Sequence, residues 1–135
     1  MRKGFTLVEI MIVVAIIALL SAIAIPNLLR SRITANESAA QATLRTISVA
    51  IETYAAASGG AYPTAETDLT GATPKYLNKA YDGVTESGYK YAYTLTTTNY
   101  TVTARPTSCT MSGTKSFTVS TGGVLSTDAQ CTAAS

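Results

Sequence analysis

The pattern of hydrophobic and polar positions changes twice along the chain. The first stretch, Phe5 to Ile25, is predominantly apolar and carries one charged residue, Glu9. A helix rises about 1.5 Å per residue, so this run would span about 31 Å as a helix. That length is close to the roughly 30 Å hydrocarbon thickness of a bilayer. The pattern therefore predicts a helix long and apolar enough to cross a membrane.

The second stretch, after Pro26, is amphipathic. Its apolar residues recur at steps of three, four and seven, as one stripe of a helix does, and polar residues flank them. The stripe is Leu29, Ile33, Ala40, Leu44, Ile47, Ile51 and Tyr54, and the flank is Glu37, Gln41, Arg45, Ser48 and Glu52. Because Gly59-Gly60 is a strong stop signal, we predict one helix over 5–58. Pro26 lacks a backbone donor and should bend this helix or melt it locally rather than end it.

The third stretch alternates between apolar and polar positions, as strands do. Tyr89–Leu95 and Tyr100–Ala104 are expected to form a hairpin around a turn at Thr96–Asn99. A third strand is expected at Ser116–Ser120, and a fourth would begin at Val124. The tyrosines fit sheet and core packing. The sequence therefore predicts an α+β fold, with the long helix packed on an antiparallel sheet of three to four strands.

The segment between helix and sheet, residues 61–88, is rich in turn signals such as Tyr62-Pro63 and Asp82-Gly83. We interpret it as a surface connection, with a short helical turn at Thr73–Leu77.

The predicted helix is too long for the predicted head. A helix over 5–58 would measure about 80 Å if straight, whereas a domain of about 100 residues has a radius of gyration near 13 Å. Its apolar first half should therefore protrude. Outside lipid, a rod that is apolar around most of its circumference must pack against copies of itself.

Composition narrows the function classes. The net charge is +2 and Arg2 with Lys3 supplies both units, so binding to nucleic acid is not indicated. The chain has no histidine and no phosphate-binding glycine loop, so we predict that it is not an enzyme and holds no cofactor. The sequence alone leaves open a catalytic Ser–Lys pair. Asp82, Glu86 and Asp128 are too scattered in sequence to indicate a calcium site, so no metal is predicted.

Two cysteines, Cys109 and Cys131, lie near the C-terminus. In an exported chain a lone pair favours a disulfide, although two unpaired thiols remain open. Closing that loop would stabilise the fold by about 3 kcal/mol in the loop-entropy picture.

The apolar N-terminal segment could have a functional role beyond membrane insertion, but two simpler explanations are available. It could be a cleavable secretory signal, with Ala22-Ile23-Ala24 as the cleavage site, or a passive single-span anchor. Glu9 argues against both, because a carboxylate inside a membrane costs about 2.5–3.5 kcal/mol on insertion scales and is functional by default. If the chain were cut after Gly4, the new amine of Phe5 would lie about 6 Å along the helix axis from Glu9. That amine could neutralise Glu9 in its own chain or in a neighbour.

The motif Lys3-Gly4-Phe5-Thr6-Leu7, with Glu9 and Pro26, resembles the class III signal of type IV prepilins and pseudopilins over about residues 2–30. The resemblance implies that a prepilin peptidase cuts between Gly4 and Phe5 and N-methylates Phe5. It also implies that Glu9 pairs with the N-terminal amine of an adjacent subunit in a filament. Cys109 and Cys131 would bound the C-terminal region of a type IVa pilin.

The resemblance also implies a domain plan and a location. Residues 1–4 would be a leader, 5–25 the membrane and filament-core half of the helix, 26–58 its amphipathic half, and 59–135 the β head, with 26–135 forming the head domain. The subunit would sit in the inner membrane with a periplasmic head, then enter a surface pilus through an inner-membrane assembly platform. A pseudopilin of type II secretion and a membrane-anchored binding module are the alternatives.

Overall fold

The computed structural model describes residues 1 and 4–134. Arg2 and Lys3 of the predicted leader, and Ser135, lie outside the described residues. The chain forms two compact units, Met1–Arg32 and Ile33–Ser135. The elements are α1 (Leu7–Ala57), α2 (Glu66–Thr70), β1 (Thr85–Glu86), β2 (Tyr89–Leu95), β3 (Tyr100–Pro106), β4 (Ser116–Ser120) and β5 (Val124–Asp128).

Helix α1 matches the predicted long helix to within two residues at each end. It continues through Pro26 and ends just before Ser58, whose N–H donates to the carbonyl of Tyr54 at 2.9 Å. Gly59 and Gly60 follow with φ of +70° and +96°, which glycine adopts without the cost that a Cβ imposes. The glycine pair therefore stops the helix as expected. The bend at Pro26 stays a prediction.

The sheet is an antiparallel meander in the order β1-β2-β3-β4-β5. The predicted hairpin of β2 and β3 is confirmed, with Leu95 opposite Tyr100 next to the turn. The predicted count of three to four strands was too low. The additional strand, β1, is only two residues long and pairs with Lys90 and Tyr89, so it lacks the alternating pattern that identifies a strand in sequence.

The core of the unit Ile33–Ser135 lies between α1 and one face of the sheet. The helix contributes Ala40, Leu44, Ile47 and Ile51, all fully buried, and the strands contribute Tyr89, Tyr91, Tyr100, Val102, Ala104, Phe117 and Val119. These four helix residues confirm the central part of the predicted stripe, whereas Leu29 at its start is exposed. One assignment to its polar flank was wrong, because Ser48 is buried with its hydroxyl 2.9 Å from the Tyr100 hydroxyl.

The segment between helix and sheet is more than a surface connection, which corrects that interpretation. Leu69 and Leu77 are buried and belong to the core. The expected helical turn at Thr73–Leu77 was also wrong: the helix in this segment is α2. Its start is fixed by the Asp68 carboxylate, which accepts the backbone N–H of Thr64 at 3.0 Å and that of Ala65 at 3.1 Å. Asp68 thus accepts hydrogen bonds from backbone N–H groups that the start of a helix leaves without partners. The segment 73–77 contains no acidic residue that could cap a helix in this way.

Candidate assembly and processing site

The predicted processing site lies just ahead of α1. Gly4, Phe5 and Thr6 are not helical, and the Phe5 side chain is 81 % exposed. In the uncleaved chain the nitrogen of Phe5 is a neutral amide, so it gains a positive charge only if the bond to Gly4 is cut. The segment is thus accessible to a peptidase, and cleavage would create a cation one turn before Glu9.

Glu9 and Thr6 together close the start of α1. The N–H and the hydroxyl of Thr6 each lie 3.4 Å from Glu9 Oε2, and the N–H of Glu9 donates to the Thr6 hydroxyl at 3.3 Å. This reciprocal arrangement is a capping box, in which each side chain satisfies a backbone donor of the other residue. Sequence reasoning missed Thr6, although the T-x-x-E spacing before an apolar run is the signal of such a box.

Among the described residues, the partners of Glu9 are therefore the neutral donors of Thr6. The ion pair between Lys79 and Glu86, at 2.7 Å, does not involve Glu9. Hydrogen bonds orient the carboxylate without cancelling its charge. Glu9 consequently remains available for a cation brought by processing or by another chain.

The apolar side chains of the unit Met1–Arg32 are exposed along the helix. Leu7 is 75 % exposed, Leu20 61 % and Ile25 65 %. The most apolar window of 18 residues has a mean hydropathy of 2.9, and none of it is buried. A shallow depression of about 320 Å³ between Ile10 and Ala18 is lined by aliphatic side chains. Exposed apolar surface of this extent marks a site for lipid or for another protein chain.

The C-terminal loop is closed by the disulfide Cys109–Cys131, with a Cα–Cα distance of 5.7 Å, which confirms the favoured pairing. Two neighbouring residues of α1 also hold this loop. Asn36 donates to the carbonyl of Ser112 at 3.0 Å, and one oxygen of Glu37 accepts both the N–H and the hydroxyl of Thr114, at 2.9 and 2.7 Å. Sequence reasoning treated Glu37 only as a polar flank, since its partner lies 77 positions away.

A second carboxylate of α1 anchors the turn between β4 and β5. Glu52 Oε1 accepts the Tyr100 hydroxyl and the N–H of Gly122, both at 2.9 Å, and Oε2 accepts the Tyr62 hydroxyl at 3.3 Å. Burial, together with the nearby Glu52 carboxylate, raises the pKa of Tyr100 to about 12. Burial also raises the pKa of Tyr62, with Glu52 adding to the effect. Glu52 therefore ties helix, β3 and the turn together through neutral donors.

The tyrosines confirm the packing interpretation. Tyr62 packs edge-on against Tyr100 at 5.2 Å between ring centroids, and Tyr81 against Tyr91 at 5.7 Å. Such edge-to-face pairs contribute about 0.5–1.5 kcal/mol beyond burial. Within the described part of the chain, no group of three or more cysteine or acidic side chains is placed to hold a metal ion.

Comparison with known proteins adds independent findings. The family described as the prokaryotic N-terminal methylation motif matches residues 1–25. The chain is 57 % identical over 42 residues to the type IV wide pilus major component PilA4 of Thermus thermophilus, which covers 31 % of this chain and 32 % of that protein. It is 44 % identical over 53 residues to the type IV major pilin protein PilA of Myxococcus xanthus, covering 39 % and 24 %.

A third relative comes from a secretion system. The chain is 33 % identical over 91 residues to the type II secretion system core protein G of Vibrio cholerae, covering 66 % of this chain and 62 % of that protein. The chain thus spans less than two thirds of the length of each of these relatives. No solved structure matches it at a significant level. By its methylation motif and by these relatives, the chain is similar to type IV pilins and to a type II secretion pseudopilin.

Proposed function

We propose that the chain is a structural subunit of a type IV pilus. It enters the inner membrane as a prepilin, is cut between Gly4 and Phe5, is N-methylated at Phe5, and polymerises through the first half of α1. The observation that carries this proposal is the unburied apolar window of α1, with its mean hydropathy of 2.9. Such a surface requires lipid before assembly and other subunits afterwards.

Glu9 gives the polymer its axial register. A carboxylate left alone in an apolar environment is costly, and pairing it with a fixed cation removes most of that cost. After cleavage, the Phe5 amine of an adjacent subunit supplies the cation. Thr6 holds the Glu9 side chain at the helix start meanwhile, through the contacts of 3.3–3.4 Å described above. A subunit that docks out of register leaves the acid unpaired.

The division of the chain follows from these roles. Residues 1–4 are the leader, 5–25 the membrane and filament-core half of α1, 26–58 its amphipathic half, and 59–135 the β head. The partners are the prepilin peptidase that also methylates Phe5, the inner-membrane assembly platform, and further copies of the chain. The head faces the periplasm before assembly and the cell exterior afterwards.

Intact-mass measurement of the protein purified from its native cells tests the proposal. The expected mass lacks residues 1–4 and carries one additional methyl group, and fragmentation places the methyl group on Phe5. A mass that retains the four leader residues contradicts the proposal and favours a membrane-anchored binding module.

One observation favours a second candidate, a pseudopilin of type II secretion. Of the three relatives above, the secretion protein G matches the longest part of the chain, 91 residues. Both candidates predict the same processing, so mass does not separate them. Shearing of cells does: long surface fibres of this subunit identify a pilus, whereas a subunit confined to the periplasm identifies a pseudopilus. The genes flanking its own give an independent answer.

A further inference from the structure

Two asparagines of the chain begin the pattern Asn-x-Ser/Thr, in which the middle residue is not proline. The first pattern is Asn36-Glu37-Ser38 and the second is Asn99-Tyr100-Thr101. In an exported protein this pattern is the acceptor signal for attachment of a sugar to the asparagine amide nitrogen. The structure distinguishes the two sites by the contacts that each amide nitrogen makes.

Asn36 is unsuited to carry a sugar. It lies within α1, it is half-buried, and its Nδ2 donates to the Ser112 carbonyl at 3.0 Å. A sugar bonded to that nitrogen would crowd the contact between α1 and the loop that the disulfide closes. Modification of Asn36 therefore conflicts with docking of this loop.

Asn99 has the opposite surroundings. It ends the turn between β2 and β3, and it is exposed together with the three threonines of the turn, residues 96–98. Its N–H donates to the Thr96 hydroxyl at 3.1 Å, and that hydroxyl donates to its Oδ1 at 2.8 Å. Its Nδ2 has no hydrogen-bond partner among the residues that the structure describes. A sugar at this nitrogen would extend into solvent without displacing a hydrogen bond.

The third residue of the second pattern is Thr101, a half-buried residue of β3. Its hydroxyl makes no hydrogen bond within the described part of the chain, so the fold does not use the group that the acceptor pattern requires. Tyr100, between the two, is buried, and its N–H donates to the Thr121 hydroxyl at 3.0 Å. A transferase can consequently bind the three residues only before β3 enters the sheet.

We propose that Asn99 is N-glycosylated at the outer side of the membrane before the head folds. The donor is a sugar carried on a membrane isoprenoid diphosphate. Nδ2 of Asn99 bonds to the anomeric carbon of the sugar, and the bond from that carbon to the phosphate oxygen breaks. The lipid diphosphate leaves with the electron pair, one Nδ2 proton passes to a base of the transferase, and nothing is oxidised or reduced. The proposal goes beyond the pilus function and shares with it only the export of the head.

Mass spectrometry of the protein purified from its native cells tests this proposal. The protein is digested, and electron-transfer fragmentation, which keeps sugars on their side chains, locates any modification. The variants are Asn99→Gln, Thr101→Ala and Thr101→Ser. The matched control is Asn36→Gln, at the other acceptor pattern. A thermal melt of each variant checks folding.

We expect the peptide with Asn99 to carry at least one sugar and the peptide with Asn36 to carry none. Asn99→Gln and Thr101→Ala should lose the sugar completely. Thr101→Ser, which keeps a hydroxyl, and Asn36→Gln should retain it. A purely structural role of Thr101 would not make the modification of Asn99 depend on a hydroxyl at position 101.

A wild-type protein without a sugar on Asn99 overturns the proposal, and this measurement needs no variant to fold. A sugar on Asn36 or on the threonines 96–98 instead, or one that survives in Asn99→Gln, also overturns it. Processing at Phe5 is measured on a different peptide. A processed chain with an unmodified Asn99 contradicts only this proposal, whereas a glycosylated chain that retains residues 1–4 contradicts only the pilus function.

Discussion

The two halves of α1 belong to one helix and have opposite surroundings. In the first half, large apolar side chains such as Leu20 and Ile25 are more than 60 % exposed. In the second half, Leu44, Ile47 and Ile51 are fully buried against the sheet. Leucine and isoleucine occur in both. Hydrophobicity therefore favours removal of a side chain from water in both halves. The tertiary structure decides whether the side chain is buried within its own chain.

This difference separates two tasks. The second half of α1 stabilises the head, because its stripe forms one side of the core. In our proposal, the first half stabilises the polymer, because its apolar surface is completed only by lipid or by other subunits. Substitutions in the two halves should consequently change different measurements, and the following predictions run from the largest expected effect to the smallest.

Glu9→Val should abolish filaments while leaving the head unchanged. It removes the carboxylate that is proposed to pair with the Phe5 amine, and it lifts an insertion cost of about 2.5–3.5 kcal/mol, so membrane insertion should persist or improve. Electron microscopy of sheared fibres and membrane fractionation measure the two effects. Glu9→Gln is the matched control: it keeps an oxygen for Thr6 but not the charge, and should also fail to assemble. Normal fibres from Glu9→Val cells would show that the register role is wrong.

Leu44→Ala should destabilise the head by about 2–5 kcal/mol, the usual range for a cavity in a packed core. Leu20→Ala deletes the same atoms from the first half and should change head stability by less than about 0.5 kcal/mol. Urea unfolding of the full chain in detergent, followed by tyrosine fluorescence, gives both values. If the two substitutions lower the free energy of unfolding equally, the two halves of α1 do not have the separate roles proposed here.

Replacing both cysteines by serine should lower head stability by about 3 kcal/mol, because the disulfide closes a loop of 22 residues in the unfolded chain. The loop should nevertheless stay docked, since Asn36 and Glu37 hold it from α1 without the disulfide. The unfolding midpoint measures the first expectation and hydrogen exchange at Thr114 the second. An unchanged midpoint would argue against the loop-closure contribution.

Alkaline pH should weaken the head through Tyr100. Its pKa is raised from the ordinary value near 10 to about 12, so the neutral phenol favours the folded state. That contribution is complete below pH 10 and is lost as the pH rises from 10 to 12, by up to about 2–3 kcal/mol. Tyr100→Phe should make the decline between pH 10 and 12 shallower, although it removes the hydrogen bonds to Ser48 and Glu52 at neutral pH. An identical slope in both proteins would contradict the assignment. Tyr54→Phe, at a tyrosine that packs on Tyr76, is the control.

Much of the fold could be predicted because its signals are local. The helix stripe, the glycine stop, the hairpin of β2 and β3, and the pairing of Cys109 with Cys131 all follow from spacing and residue type, and the structure confirms them. The short elements could not be predicted. Strand β1 exists only because β2 offers it backbone partners, and α2 depends on the cap from Asp68.

The residues of the candidate site likewise fall into those that local sequence signals could predict and those that they could not. The motif predicted the cleavage position and the role of Glu9, and both stay predictions. The hydropathy pattern predicted the apolar run, and the T-x-x-E spacing could have predicted the cap at Thr6. The roles of Glu37 and Glu52 could not be predicted, because both looked like polar residues on the solvent side of a helix. Apart from Tyr62, which is 10 positions from Glu52, their partners lie 48–77 positions away in the chain.

The sequence by itself determined which segments are apolar, their period, and the position of one acid within the first of them. Periodicity arises from backbone geometry that each segment carries alone, so no other part of the chain is needed to interpret it. Only the tertiary structure decided which polar groups face inward and which loop each carboxylate holds. Those choices depend on the distance between groups far apart in sequence, and that distance is set when helix and sheet pack together.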